Sequence, residues 1–145
     1  MRVRGCALIR KEGKILVLVY HYPNGTVYAI PGGNIDEGET IENSVIREFE
    51  EELGIQVAID RLLYVGDMMA NQYVAQTVHI VFEGHILLGE PQLNPEQTSA
   101  NDCIWLEESR LEDVILYPEI KKALLEDGEN TSPRYLGDSL TREWA

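Results

Sequence analysis

Residues 41–53 constrain the fold more than any other part of the sequence, because they combine a helix pattern with an unusual concentration of charge. At about 100° per residue, one face of such a helix gathers four apolar side chains, those of Val45, Ile46, Phe49 and Leu53. Thr40 is typical of a helix N-cap, and Gly54 is typical of the residue that ends a helix. The pattern predicts a helix over 41–53 with one face against a core.

Another face of this helix carries three carboxylates. Glu48, Glu51 and Glu52 are spaced i, i+3 and i+4, whereas Glu50 points elsewhere, towards solvent. Like charges at these spacings repel by roughly a few tenths of a kcal/mol per pair. Arg47 precedes Glu51 by four residues and can pair with it. Such an acidic run is either an ordinary solvated face or a place where a divalent cation offsets the repulsion.

The segment that precedes the helix favours the second alternative, a divalent cation at the three carboxylates. Residues 31–40, PGGNIDEGET, are rich in glycine and are predicted to be loop, with Glu39 just ahead of the helix. The adjacent glycines Gly32 and Gly33 let the backbone bend and aim carbonyl oxygens inward. Carbonyl and carboxylate oxygens are the ligands that Mg²⁺ and Mn²⁺ prefer. We therefore expect Mg²⁺ or Mn²⁺ at this ridge.

The remaining pattern predicts one domain over 1–128 and a polar tail over 129–145. Strands are expected at 3–10, 15–20, 27–30, 57–70, 75–83 and 102–106, and a second helix near 118–126. The stretch 84–101 is expected to be largely loop. In the tail, Leu136, Leu140 and Trp144 recur at helical spacing. A short amphipathic helix there would either fold back on its own domain or pack on a second subunit.

Composition restricts location and partners. A net charge of −13 opposes binding to polymeric nucleic acid, which rests on Lys and Arg. The longest strongly apolar run, 15–19, is strand-sized, so no membrane association is expected. The first residues lack a signal-peptide core. Cys6 and Cys103 lie in apolar runs and are expected to be buried free thiols in the cytoplasm.

The segment 33–55 resembles the Nudix box, G-x(5)-E-x(7)-R-E-U-x-E-E-x-G-U, in which U is a bulky aliphatic or aromatic residue. Every specified position is filled, by Gly33, Glu39, Arg47, Glu48, Phe49, Glu51, Glu52, Gly54 and Ile55. The resemblance implies an α/β fold, namely an α/β/α sandwich with a mixed β-sheet and the box as loop–helix–loop. It also implies a metal-dependent hydrolase that cleaves the diphosphate linkage of nucleoside diphosphate derivatives.

The resemblance further implies roles for box residues. Glu51 and Glu52 match metal ligands, with the Gly33 carbonyl as an addition. Glu48 is either a metal ligand or the general base. Arg47 is expected to orient a glutamate rather than to touch substrate.

Other candidates are less specific. Glu39 is either a base or a structural partner at the helix start. The family often adds a carboxylate from a later loop, for which Glu96 is the first candidate and Asp102 the second. For each of them, an exposed loop carboxylate without a catalytic role is an equally good interpretation. His79 is expected to be a half-buried imidazole with its hydrogen bonds satisfied, and His21 a surface turn residue.

Three tyrosines, Tyr20, Tyr22 and Tyr28, cluster around the second turn. They are expected either to stack a base or to pack as ordinary strand residues.

The expected substrate is a small nucleotide, either a nucleoside triphosphate or an ADP-ribose-like compound. A homodimer is the alternative to a tail that folds back on its own domain, because the resemblance implies a family in which many members are dimers. A catalytically silent Nudix domain that senses a nucleotide or supports assembly is the alternative. Silent members tend to have lost box glutamates, whereas this sequence keeps all of them.

Overall fold

The computed structural model describes residues 1–128 and 132–141. Within them it contains two α-helices, α1 (Ile41–Leu53) and α2 (Lys121–Asp127), and a 3₁₀-helix, Glu108–Asp113. The same residues form nine strands: β1 (Arg2–Lys11), β2 (Lys14–Tyr22), β3 (Gly25–Ala29), β4 (Gly32–Asn34), β5 (Gln56–Met68), β6 (Thr77–Leu88), β7 (Asp102–Glu107), β8 (Ile115–Tyr117) and β9 (Arg134–Tyr135).

The strands form a mixed sheet in the order β8-β3-β2-β1-β6-β5-β9, with β4 paired to β1 and β7 paired to β2. The pairs β1–β6, β3–β8 and β5–β9 are parallel, and the others are antiparallel. The pairing of β5 with β6 shifts register at three points along β5.

Alternating side chains of the central strands supply two apolar layers, one on each face of the sheet. On one face Cys6 and Leu8 of β1 join a cluster with Leu124 of α2. On the other face Ala7 joins a cluster with Phe49 of α1. The helices therefore cover opposite faces, which is the predicted α/β/α sandwich.

Helix α1 has the predicted bounds and the predicted caps. The Asn43 N–H donates to the Thr40 hydroxyl at 3.1 Å. Gly54 ends the helix at φ 65°, a conformation that glycine adopts without steric cost, and its N–H donates to the Glu50 carbonyl at 3.0 Å.

The prediction of an uninterrupted loop over 31–40 is wrong, because β4 lies within it. Gly32 pairs with Cys6, and Gly33 pairs with Gly5. The backbones approach so closely that a Cβ at Gly32 would lie 2.1 Å from the Gly5 carbonyl oxygen. Strand β6 also extends to Leu88, beyond its expected end at 83.

The tail differs from its expected helix within the described residues 132–141. This part contains the short strand β9, parallel to β5, and a turn. Leu140 is buried against Gly66 and belongs to the apolar cluster that contains Cys6, Leu8 and Leu124. Leu136 packs against that cluster. These leucines therefore fold back on their own chain. Trp144 lies outside the described residues.

Two further observations bear on the expectations from composition. Both cysteines are free, Cys6 buried and Cys103 half-buried. Among the described residues, no helix has both the length and the apolar character needed to cross a membrane.

Candidate active site

Arg47 reaches from α1 back to the loop that precedes it. Its Nε and Nη2 donate to the two carboxylate oxygens of Glu39, at 2.8 and 3.0 Å. Its Nη1 donates to Glu51 Oε2 at 3.0 Å, and Nη2 lies 3.1 Å from Asp36 Oδ2. The hydrogen bond from Arg47 lowers the pKa of Glu39. The geometry favours Glu39 as a structural partner, and Arg47 contacts Glu51 as predicted. Asp36 is a partner that the sequence did not indicate.

Glu48 and Glu52 lie one helical turn apart on α1, and each carboxylate affects the pKa of the other. Burial, together with the nearby charge of Glu48, raises the pKa of Glu52 to about 8. Burial also raises the pKa of Glu48. Such shifts arise where two carboxylates must share a partly desolvated space. A proton or a cation would each relieve the repulsion between the two carboxylates.

The backbone at Gly33 lies directly against this pair. A Cβ at Gly33 would lie 2.5 Å from Oε1 of Glu48, closer than atoms can approach. Because glycine has no Cβ, the Glu48 carboxylate can occupy the space beside the backbone at Gly33.

The carboxylate pair has the properties of a cation site. Oε2 of Glu52 is buried and has no hydrogen-bond partner among the described residues. Such an oxygen is costly unless a proton or a cation satisfies it. Within the described part of the chain, no three His, Cys, Asp or Glu side chains form a ready-made metal cluster. Glu51, the third ridge carboxylate, is instead paired with Arg47. Two carboxylates with an unsatisfied buried oxygen fit a divalent cation, and Glu51 on the same ridge could supply a further oxygen.

A pocket of about 910 Å³ lies beside the box. Its wall is mainly aromatic and apolar, and Tyr20 and Tyr22 stack within it with ring centroids 6.2 Å apart. Gly32, the neighbour of Gly33, also lines it. The lining residues are Arg4, Tyr20, Tyr22, Pro23, Asn24, Gly25, Val27, Ala29, Gly32, Tyr73, Val74, Ile115 and Tyr117. A flat aromatic ligand fits such a wall.

Tyr28 does not line this pocket, contrary to the expectation that it binds substrate. Its neighbours Val27 and Ala29 do, and side chains alternate along β3. Tyr28 therefore packs on the opposite face, against the cluster that contains α2 residues. The prediction for Tyr28 is corrected, whereas Tyr20 lies in the pocket wall.

The later-loop carboxylates are exposed. Glu96 lies in a turn where its N–H donates to Asn94 Oδ1 at 3.1 Å, and the Asn94 N–H donates to the Glu52 carbonyl at 2.8 Å. The turn is thus tied to the end of α1, but Glu96 has no described contact with the box carboxylates. The Asp102 carboxylate accepts from the Cys103 N–H at 2.8 Å.

His21 and His79 are not part of the carboxylate pair. His21 is exposed, with Nδ1 3.1 Å from the Thr26 hydroxyl. His79 is fully buried rather than half-buried, and its Nδ1 has no partner among the described residues, so the expectation of a satisfied imidazole is wrong. Its Nε2 lies 3.5 Å from the Tyr117 hydroxyl.

Among the pocket residues that the sequence reasoning missed are Arg4 and Tyr117. For Arg4 a signal existed, since an arginine inside a predicted apolar strand needs a partner or a function. Tyr117 comes from a distant part of the chain and carries no local signal.

Comparisons with known proteins identify the family and the fold. The NUDIX domain family matches residues 1–127. A MutT NUDIX hydrolase from Burkholderia pseudomallei superposes with a TM-score of 0.68 at 30% identity, covering 86% of this chain and 95% of that one.

Two relatives are similar in sequence. The NAD-capped RNA hydrolase NudC of Photobacterium profundum is 28% identical over 128 residues, which are 87% of this chain and 46% of that protein. The ADP-ribose pyrophosphatase of Methanocaldococcus jannaschii is 33% identical over 84 residues, 57% of this chain and 50% of that protein. The chain thus spans about half the length of these relatives. With the family match over residues 1–127 and the complete box around the carboxylate pair, the chain belongs to the Nudix family.

Proposed function

We propose that this chain hydrolyses the diphosphate linkage of a nucleoside diphosphate derivative, with Mg²⁺ or Mn²⁺ as cofactor. The observation that carries the proposal is the Glu48–Glu52 pair, whose buried Glu52 Oε2 lacks a partner, beside an aromatic pocket. A pocket that accepts a base next to a site that accepts a cation suits a nucleotide, since its phosphates carry the opposite charge to the cation.

The metal would be held by Glu48 and Glu52, with Glu51 and the backbone carbonyl of Gly33 as further oxygen ligands. When bound, Mg²⁺ or Mn²⁺ supplies positive charge that offsets the charge developing on the phosphate oxygens. Arg47 orients Glu51 through the hydrogen bond at 3.0 Å and is itself fixed by Glu39. Glu48 has two possible roles, as a ligand or as the base that takes a proton from the attacking water. The variant Glu48→Gln distinguishes the two roles. If Glu48 is the base, the rate falls while the metal affinity is kept, whereas loss of a ligand lowers the metal affinity as well.

For the substrate, nucleoside triphosphates and ADP-ribose-like compounds are the first choices. Tyr20 and Tyr22 can stack a base, and the ADP-ribose pyrophosphatase among the relatives supports this class. A polymeric substrate is not expected, because the net charge of −13 opposes binding to a nucleic acid backbone. Since the NudC relative is named for NAD-capped RNA, capped RNA belongs in the same substrate screen.

The test is a screen of nucleoside di- and triphosphates, ADP-ribose, dinucleoside polyphosphates and capped RNA, each with Mg²⁺ or Mn²⁺ and with EDTA. We expect metal-dependent cleavage of one class, and loss of turnover in Glu52→Gln with the fold retained. Glu50→Gln is the matched control, because Glu50 lies on the same helix but is exposed. Wild-type rates in Glu52→Gln would refute its role as ligand. No cleavage of any compound would favour the silent sensor instead.

Location in the cytoplasm is also part of the proposal, and a homodimer is the alternative to a monomer. The two free cysteines are compatible with a reducing compartment. For the dimer, the fold-back of Leu136 and Leu140 removes the tail leucines as the expected contact. Measurement of the solution mass decides the oligomeric state.

A further inference from the structure

We infer that Arg4 is a substrate-binding residue, which donates hydrogen bonds to a phosphate oxygen of the nucleotide where the aromatic pocket meets the carboxylate pair. This inference rests on the proposed function and adds to it a residue outside the Nudix box.

Arg4 is held in a defined position in the pocket wall. It lies on β1 opposite His79 of β6, and its Nη2 donates to the Ile30 carbonyl at 3.0 Å. Its guanidinium lies over the ring of Tyr117, 5.2 Å from the centroid. A planar cation held by one hydrogen bond and one aromatic face keeps its direction without ligand.

Part of the hydrogen-bonding capacity of Arg4 is not used within the described residues. A guanidinium has five N–H donors, and its Nη1 is buried with no acceptor among the described residues. A purely structural arginine would be expected to satisfy such a buried group. The unsatisfied Nη1 therefore indicates that an oxygen atom of a bound ligand accepts its hydrogen bond.

The charge of Arg4 indicates what kind of oxygen this is. Among the residues that line the pocket, Arg4 is the only one with a charged side chain. Gly32 lines the same pocket, and its neighbour Gly33 lies against the Glu48 carboxylate, so the pocket that Arg4 lines adjoins the carboxylate pair. A phosphate group that lies between a nucleobase in the pocket and a cation at the carboxylate pair can contact both Arg4 and the cation. Arginine binds phosphate oxygens more strongly than neutral oxygens, because the hydrogen bonds are charge-assisted.

The alternative is that Arg4 only supports the wall through Ile30 and Tyr117. In that case its loss would weaken binding of every ligand in the pocket by the same factor. A phosphate contact would instead weaken only ligands that carry phosphate. The ratio of two affinities measured on one variant separates these alternatives even if the variant is less stable.

The experiment compares the Kd of a nucleoside with that of its α,β-methylene diphosphate, which resists cleavage at the bridge, by calorimetry with Mg²⁺. Adenine and guanine forms are both used. For Arg4→Met we expect the diphosphate to bind at least about tenfold more weakly and the nucleoside to change less than about twofold. Arg4→Lys, which keeps the charge but not the planar donor set, should recover part of the loss.

Arg2→Met is the matched control, since Arg2 lies on the same strand, is exposed and does not line the pocket. It should leave both affinities unchanged. Equal weakening of nucleoside and diphosphate in Arg4→Met would overturn the inference and leave the proposed function intact. If the wild-type protein binds and cleaves no nucleotide, the proposed function fails together with the inference.

Discussion

Arg47 holds Glu39 in a two-point ion pair, with Nε and Nη2 each donating to a different carboxylate oxygen, at 2.8 and 3.0 Å. The same guanidinium donates to Glu51 from Nη1. The pair thus links the loop before α1 to the acidic ridge of the helix. This explains why one arginine among several glutamates is enough to order the ridge.

Arg47→Lys should lower kcat/KM by about 10- to 100-fold, because lysine cannot donate from three nitrogens in one plane. KM should change less than kcat, since Arg47 does not line the pocket. Steady-state kinetics on the substrate found by the screen measure both. Arg134→Lys is the control, because Arg134 pairs with Asp127 in the C-terminal part of the chain. Unchanged kcat in Arg47→Lys would contradict the positioning role.

Gly33→Ala should displace the Glu48 carboxylate, because the added Cβ would lie 2.5 Å from its Oε1. Because the contacted atoms are the end of a flexible side chain, the carboxylate can turn aside, and we expect the unfolding free energy to fall by no more than about 1 kcal/mol. We expect turnover to fall at least about tenfold as the carboxylate moves. Chemical denaturation and kinetics measure the two effects.

A double-mutant cycle checks the cause of the Gly33→Ala effect. In a Glu48→Ala background the clash partner is absent, so Gly33→Ala should destabilise the protein much less. An equal cost in both backgrounds would mean that the strain lies elsewhere.

His79 should make the protein less stable in acid. Burial lowers the pKa of His79 to about 4, whereas the unfolded chain binds this proton near the ordinary value of about 6.5. Between these values the unfolded state holds more protons than the folded state, so the unfolding free energy falls as pH drops from about 6.5 to 4, by about 1 to 3 kcal/mol. Urea denaturation across this range should show a flatter profile for His79→Leu. The exposed His21, replaced likewise, is the matched control for the loss of a histidine.

Leu140→Ala should destabilise the protein by about 2 to 4 kcal/mol, because Leu140 is 2% exposed and packs on Gly66. Leu125→Ala should cost less than about 0.5 kcal/mol, since Leu125 is 50% exposed. Thermal unfolding compares the two variants. Light scattering on the same samples reports the mass. A large drop in mass with little change in stability would show that Leu140 serves a dimer contact instead.

Helix α1 could be predicted to the residue because its signals are local. Thr40, Gly54 and the apolar spacing all lie within 15 residues, and each acts through its immediate neighbours. The carboxylate ridge and the Arg47–Glu51 contact follow from the same helical geometry.

Strand β4 could not be predicted, because its pairing partner lies far along the chain in β1. Three residues in a glycine-rich segment show no periodicity, so only the tertiary contact makes them a strand. Tyr28 was misplaced for a related reason. The side of a strand that faces a ligand depends on which layer covers each face, and this was not evident from the tyrosine cluster.

The central claim is that the Glu48–Glu52 pair binds a divalent cation. It is tested most directly by calorimetric titration of the metal-free protein with Mn²⁺, in parallel with Glu52→Gln and the control Glu50→Gln. We predict saturable binding to the wild type and to Glu50→Gln, with at least about tenfold weaker binding to Glu52→Gln. Equal binding by all three proteins, or no binding by the wild type, would contradict the claim.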